Sequence, residues 1–339
     1  MNTNNQLGFS DELLARRRKS SQMAAKLTKI DKLIDWQPIY QKLSVIDQTS
    51  KIKGGRPRKP ISWMVKAVFL QSLFNLSNPQ LEDQLIDRLS FQRFVGINLD
   101  HDIPDFTTFW RFKEAIIQHE LGDIIFDQIT AQLEQRGMML KRGTVVDATI
   151  INSVNRPLKK ERRQELSEQP SSQIDTDAHS TKKGNRYYFG YKGHIGVDVA
   201  TKLIRKQRFT PANRNDQIPL DELISYDEMS LWGDKAYYLE SYKEASRKDG
   251  WFYGVLNKPQ KGQKLSKKQK RKNKQYSSVR AQVEHPFAWM KTKAGLVAMQ
   301  AKNIARNAFT FANNCACWNV IRALWILSKP KPFGGLVCR

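Results

Sequence analysis

The stretch GTVVDATIINS, residues 143–153, is dominated by β-branched side chains and holds one acid, Asp147, near its centre. Valine, isoleucine and threonine suit a pleated, half-buried surface, so the run predicts a core strand. A buried strand seldom carries an unpaired carboxylate, because desolvating the charge is costly. Asp147 is therefore either tied down locally, for instance by Thr149, or kept for chemistry.

Upstream of Gly143 the texture is helical. DELLARRRKSSQMAAKLTKIDKLIDW spaces its apolar residues as a helix does, and ISWMVKAVFLQSLFNL (61–76) is a strongly apolar helix. Asn78-Pro79 opens a further helix, with proline in its first turn, and Asp105 can cap another. Downstream, YYFGYKGHIGVDV and LIRKQRFTPA read as neighbouring strands joined by the turn ATK. NDQIPLDELISY follows as a helix, MSLWGDKAYY as a strand ending at Asp234, YLESYKEASRKDG as a helix and WFYGVLN as a fifth strand. Two helices close the chain, one around Glu284 and one from about Asn303 to Leu327. Residues 153–186 are charged and nearly free of large apolar side chains, which predicts a polar insert without regular structure. Residues 258–275, rich in lysine, read as a basic linker.

The order of three strands, helix, strand, helix, strand and final helices is that of an α/β, RNase-H-like core: a mixed five-stranded sheet flanked by helices. An all-helical N-terminal domain over residues 1–135, serving DNA binding or dimerisation, precedes this core, which spans residues 140–335.

Charge narrows the function. The formal net charge is +24, and residues 251–339 contain a single acid, Glu284, amid many lysines and arginines. A segment that excludes acids so thoroughly is expected to lie against a polyanion, since clustered bases displace counterions from phosphates. Lys267, Lys268, Lys270, Arg271 and Lys272 are the densest part of that surface. The N-terminus lacks the basic-then-apolar pattern of a signal peptide. The apolar stretch near the C-terminus is interrupted by Asn319 and Arg322, so no membrane span is expected. The three cysteines form neither a disulfide framework nor a metal-binding pair. A cytoplasmic, nucleoid-associated protein is expected.

Three acids lie where phosphodiester chemistry would need them: Asp147 within a strand, Asp234 at a strand's end and Glu284 on a later element. Oxygen ligands of this kind suit Mg²⁺, with Mn²⁺ as a substitute, and two such ions can serve in-line displacement. Asp198 in HIGVDV is a rival second ligand. Glu284 could instead pair with Arg280 four residues before it or with Lys291 seven after.

These motifs resemble a known family. VVDATI, WGDKAYY and VRAQVEHPFAWMK are similar to the Asp-Asp-Glu (DDE) transposases of bacterial insertion sequences, in the group numbered five and its relatives. GRPRKPISWMVKAVFLQSLFNLSNPQLEDQLIDRLSFQRFVG resembles that group's N-terminal domain. The related group numbered four carries a signature Y-x(2)-R-x(3)-E-x(6)-K. Arg280, Glu284 and Lys291 keep that spacing, whereas Tyr276 lies one residue too far from Arg280 and Ser277 holds the expected position. The resemblance implies that Asp147, Asp234 and Glu284 bind two divalent ions, that Arg280 and Lys291 hold the DNA backbone, and that Tyr276, despite its shifted spacing, is a further nucleic-acid-binding candidate. It further implies cleavage at the ends of a mobile element, with recognition of its terminal inverted repeats. Joining of the 3′ hydroxyls to target duplex DNA follows, within a synaptic complex of two protomers. A structure-selective nuclease on the same fold, or a non-catalytic DNA-binding protein, are the rival readings.

Overall fold

The computed structural model describes residues 21–47, 57–169, 174–225, 227–259 and 262–329. The chain divides into two compact units: residues 1–71 with 76–115, and residues 72–75 with 116–339.

In the first unit, α1 (Gln22–Leu33) is capped by Ser21, whose hydroxyl accepts the Ala24 N–H at 3.2 Å, and buries Ala24, Leu27, Ile30 and Leu33. The reading of a helix from residue 11 falls partly outside the described residues. After α2 (Gln37–Leu43) come α3 (Ile61–Phe74), α4 (Asn78–Asp87), α5 (Leu89–Val95) and α6 (Phe106–Gln118). Ser77 and Gln80 form a reciprocal capping box at the start of α4, where Pro79 also sits. Trp36 anchors this core edge-on against Phe69 at 5.3 Å and Phe94 at 5.9 Å.

The second unit is built on one mixed sheet. Its strands are β1 (Thr144–Ser153), β2 (His179–Lys183), β3 (Arg186–Asp198), β4 (Ile204–Pro211), β5 (Ser230–Gly233), β6 (Phe252–Val255) and β7 (Ala298–Met299). The central order is β4–β3–β1–β5–β6, with β3 antiparallel to both β1 and β4, and β5 and β6 parallel to β1. This is the RNase-H-like arrangement that the strand order implies. Two short strands extend the expected five: β2 pairs with the first residues of β3, and β7 with the end of β1.

Helices cover both faces: α7 (Ile124–Gln135), α8 (Lys160–Glu168), α9 (Leu220–Leu223), α10 (Glu240–Asp249), α11 (Lys267–Arg280), α12 (Glu284–Lys293) and α13 (Ile304–Leu327). Glycines on β3 let them approach. A Cβ on Gly193 would lie 2.4 Å from the Phe311 ring of α13, and one on Gly196 would lie 2.3 Å from the Leu223 carbonyl of α9. The two glycines have opposite parity on the strand, so they mark opposite faces. Beneath the α9 face, Val146, Leu220, Leu223, Leu231, Tyr237 and Val255 form a buried cluster. At the outer edge, Asn319 of α13 accepts the Ile204 N–H at 2.7 Å and donates to the Ile204 carbonyl at 2.8 Å.

Three expectations change. The stretch read as a basic linker, residues 258–275, runs into a helix, α11, because Ser266 and Gln269 cap it reciprocally and Asn273 bonds to Asn257. The polar insert, 153–186, contains α8, which buries Leu166, and β2, which turns into β3 at Gly184 with a φ of +61°. The helix α7, placed with residues 1–135 by its texture, belongs to the second unit and packs against α13. Among the described residues no helix is long and apolar enough to cross a membrane.

Candidate active site

The parallel register of β1 and β5 sets Val146 opposite Gly233, so Asp147 and Asp234 follow side by side at the same level of the sheet. Asp147 pairs with Ile195 across the antiparallel ladder, which turns its side chain toward the α13 face. One carboxylate oxygen accepts the Ala148 N–H at 2.8 Å; the other meets the Arg280 guanidinium at 3.0 Å. Its side chain keeps 20% of its accessible surface. Burial, reinforced by the neighbouring Asp234, pushes the Asp147 carboxyl above the usual carboxylate range, against the Ala148 N–H, Arg280 and Lys183. Asp234 caps the short 3₁₀ turn Lys235–Tyr237, accepting the Lys235 N–H at 2.7 Å.

Glu284 begins α12 and is mostly exposed, 66% by side chain. It does not touch Asp147 directly. Arg280 stands between them, 3.0 Å from Asp147 and 3.9 Å from Glu284. Pro286 falls in the first turn of α12, where its missing N–H costs no helical bond. Among the described residues, no three carboxylate, imidazole or thiolate groups converge closely enough to form a ready cation cage. The donor set nonetheless fits a hard divalent cation. Two carboxylates lie together, one held at an electrostatic cost that an added positive charge would relieve.

The rival ligand Asp198 is excluded by its own bonds. It is fully buried, and its oxygens accept the N–H groups of Lys141, Ala200 and Thr201 and the Thr201 hydroxyl, at 2.8–3.1 Å. No lone pair points at a ligand; the residue stitches the β3–β4 turn.

The basic residues separate by role. Lys267, Lys268, Lys270, Arg271 and Lys272 are exposed along α11, a helix that buries none of its residues. Tyr276, on the partly buried face of α11 with Gln269 and Asn273, lies edge-on to Trp232 at 5.5 Å and to Phe252 at 5.7 Å. It anchors the helix to the sheet. Lys291 is exposed on α12 by side-chain surface, yet neighbouring atoms partly desolvate its ammonium, and that desolvation together with Lys183 lowers its pKa.

Sequence reading passes over two neighbours of the acids. Lys183 ends β2 and couples electrostatically to both Asp147 and Lys291. Its signal is the Gly184-Asn185 turn between two strand-like runs. Tyr237 is buried with a hydroxyl that has no hydrogen-bond partner among the described residues. Its pKa is raised by burial and by Asp147, Asp216 and Asp234.

Comparison with known families gives two matches. Residues 139–320 match the family described as Transposase DDE domain, and residues 14–115 match the one described as Transposase domain (DUF772).

Proposed function

The chain belongs to the DDE transposases, and from that premise we propose that it binds the terminal inverted repeats of its own insertion sequence, cleaves the DNA at the element ends and joins the 3′ hydroxyls to target DNA. The observation that carries this reading is Asp147, a carboxylate held on a core strand beside Asp234, with the Arg280 guanidinium as its only side-chain hydrogen-bond partner among the described residues. A purely structural carboxylate would be saturated by backbone donors, as Asp198 is.

Asp147 and Asp234, completed by Glu284, would hold two divalent ions, Mg²⁺ in the first instance. When bound, these supply Lewis-acid polarisation of the phosphate and activation of the attacking hydroxyl. The protein's own groups do the positioning. Arg280 has planar donors that suit a phosphate as well as a carboxylate, so a phosphodiester entering the site can draw its guanidinium away from Asp147 and Glu284. Lys291, with Lys183 beside it, offers positive charge for the flanking backbone. The exposed bases of α11 extend that surface along the duplex. In each step an oxygen attacks phosphorus in line and the opposite oxygen leaves with the bond electrons: water attacks to free the element's 3′ hydroxyl, then that hydroxyl attacks the target phosphate. Two protomers, each holding one element end, would make the synaptic complex.

The test is Glu284→Gln in purified protein, assayed for end binding, cleavage and joining. The substitution keeps shape and removes the charge that would hold a cation. End binding is expected to persist while cleavage and joining both fall at least about a hundredfold. An exposed pair with Arg280 is worth about 0–1 kcal/mol, so a structural Glu284 would leave the chemistry near the parent rate. That outcome overturns the assignment.

A further inference from the structure

A second cluster of cations lies one residue beyond Glu284. The β3–β4 turn carries Lys202 in the left-handed region, with a φ of +64°. The turn is rigid: Asp198 accepts its N–H groups, the Trp318 indole donates to the Lys202 carbonyl at 2.8 Å, and Arg322 Nε donates to the Thr201 carbonyl at 2.7 Å. Lys202 Nζ lies 3.0 Å from His285 Nε2, and the Arg322 guanidinium stacks 4.0 Å over the Trp325 ring, on which Lys329 also rests.

Among the described residues no carboxylate comes within 4.0 Å of Lys202, His285 or Arg322. Burial and the neighbouring Arg322 lower the Lys202 pKa, and burial lowers that of Arg322. Lys202 and Arg322 are partly buried cations whose cluster has the exposed Glu284 as its acidic neighbour but no ion pair among the described residues. They repel one another, and a structural cluster would be expected to include a paired counter-charge. The main-chain bonds of the turn and the bond from Arg322 Nε nevertheless hold Lys202 and Arg322 near one another, and both side chains keep partial exposure to solvent.

We propose that Lys202, His285 and Arg322 form a phosphate-binding site for the DNA backbone, separate from Arg280 and Lys291 and on the other flank of Glu284. Its ligand is a phosphodiester oxygen, which would accept from the Lys202 ammonium and the free guanidinium N–H groups of Arg322. The cluster would pin the duplex next to the start of α12, so that Glu284 faces a backbone held on both sides. This site rests on the transposase reading, because it presumes duplex DNA as the substrate.

Lys202→Gly gives a clean test. Glycine accepts the positive φ without strain, and the bonds through the Thr201 and Lys202 carbonyls belong to the main chain and survive. Lys202→Glu serves as the second variant, placing an internal counter-charge among the cations. Binding of the full chain to a duplex oligonucleotide is measured across salt concentrations, alongside thermal melting. The expected result for Lys202→Gly is an unchanged or higher melting temperature and a log–log salt slope shallower by about 0.9, the signature of one lost phosphate contact. Lys202→Glu is expected to flatten the slope further. Unchanged slopes in both folded variants, with a parent that binds DNA, overturn this site alone. A parent that binds no duplex DNA overturns both the site and the transposase reading.

Discussion

Asp147 and Asp198 occupy the same sheet, each following a valine in a β-branched run, yet they are treated in opposite ways. Asp198 is sealed from solvent and receives four hydrogen bonds, three of them from main-chain N–H groups. Asp147 receives one bond from its own neighbour and one from a long, rotatable arginine. The first carboxylate is consumed by the fold; the second retains lone pairs for something else. A strand aspartate therefore declares its role less by its burial than by how much of its acceptor capacity the backbone has taken.

The sharpest way to break that contrast is to convert both to asparagine. Asp147→Asn is expected to lose DNA cleavage by at least about a thousandfold, about 4 kcal/mol of barrier, while melting no lower than the parent. Its carboxyl is disfavoured by burial in the fold, so neutralising it removes a cost. Asp198→Asn should do the reverse. One amide –NH₂ would face backbone donors, lowering stability by about 2–4 kcal/mol in urea titrations. Activity loss without destabilisation at Asp198, or unfolding at Asp147, would erase the distinction.

A smaller effect comes from His194, beside Ala148 in the β1–β3 register and fully buried. Its Nε2 meets the Thr210 hydroxyl at 2.9 Å, while Nδ1 has no partner among the described residues. Burial pushes its pKa down to about 4, opposed by Asp216 and assisted by Lys192. The folded chain thus keeps this imidazole neutral where the unfolded chain takes a proton. Stability from this residue is complete above about pH 6.5 and is lost as the pH falls toward 4, on the order of 1–3 kcal/mol. Comparing unfolding free energies at pH 7 and pH 5 in the parent and in His194→Gln checks this; the variant should show the shallower dependence.

The smallest effect concerns charge reserved for a ligand. On α11, Lys268 and Lys272 are four residues apart, a like-charged pair that weakens the helix. Lys268→Glu makes that pair attractive and places an acid in a first turn that has none. A gain of about 0.5–1 kcal/mol is expected, seen as a rise of about 1–3 °C in melting temperature. The salt slope of DNA binding should fall at the same time. If stability and binding moved together instead, the basic face would be serving the fold.

The sheet and its acids were legible because β-branched runs and single carboxylates are local signals. Asp147 and Asp234 stand out in the sequence as lone acids on strand-like runs; the parallel register that sets them side by side is a property of the folded sheet. The helix α11 was hidden by its lysines, which read as a solvated linker, although the Ser266–Gln269 capping box was already written in the residues. What secures it, Tyr276 against Trp232 and Phe252, is a contact between distant segments that no local pattern reveals. The allegiance of α7 was hidden for the same reason, since a helix's apolar stripe does not say which partner it meets. Arg280 was legible as a basic residue near Glu284, but not as the group that separates it from Asp147.

The Asn319 side chain does more than tie α13 to the sheet. By both accepting from and donating to the main chain of Ile204, its amide imitates a neighbouring strand at that point of β4. Among the described residues β4 has no strand on that side. An open edge invites another chain to add itself, a hazard for any protein crowded along a polymer at high local concentration. A single helical side chain occupies the pairing groups there, and so discourages self-templated aggregation without adding another strand.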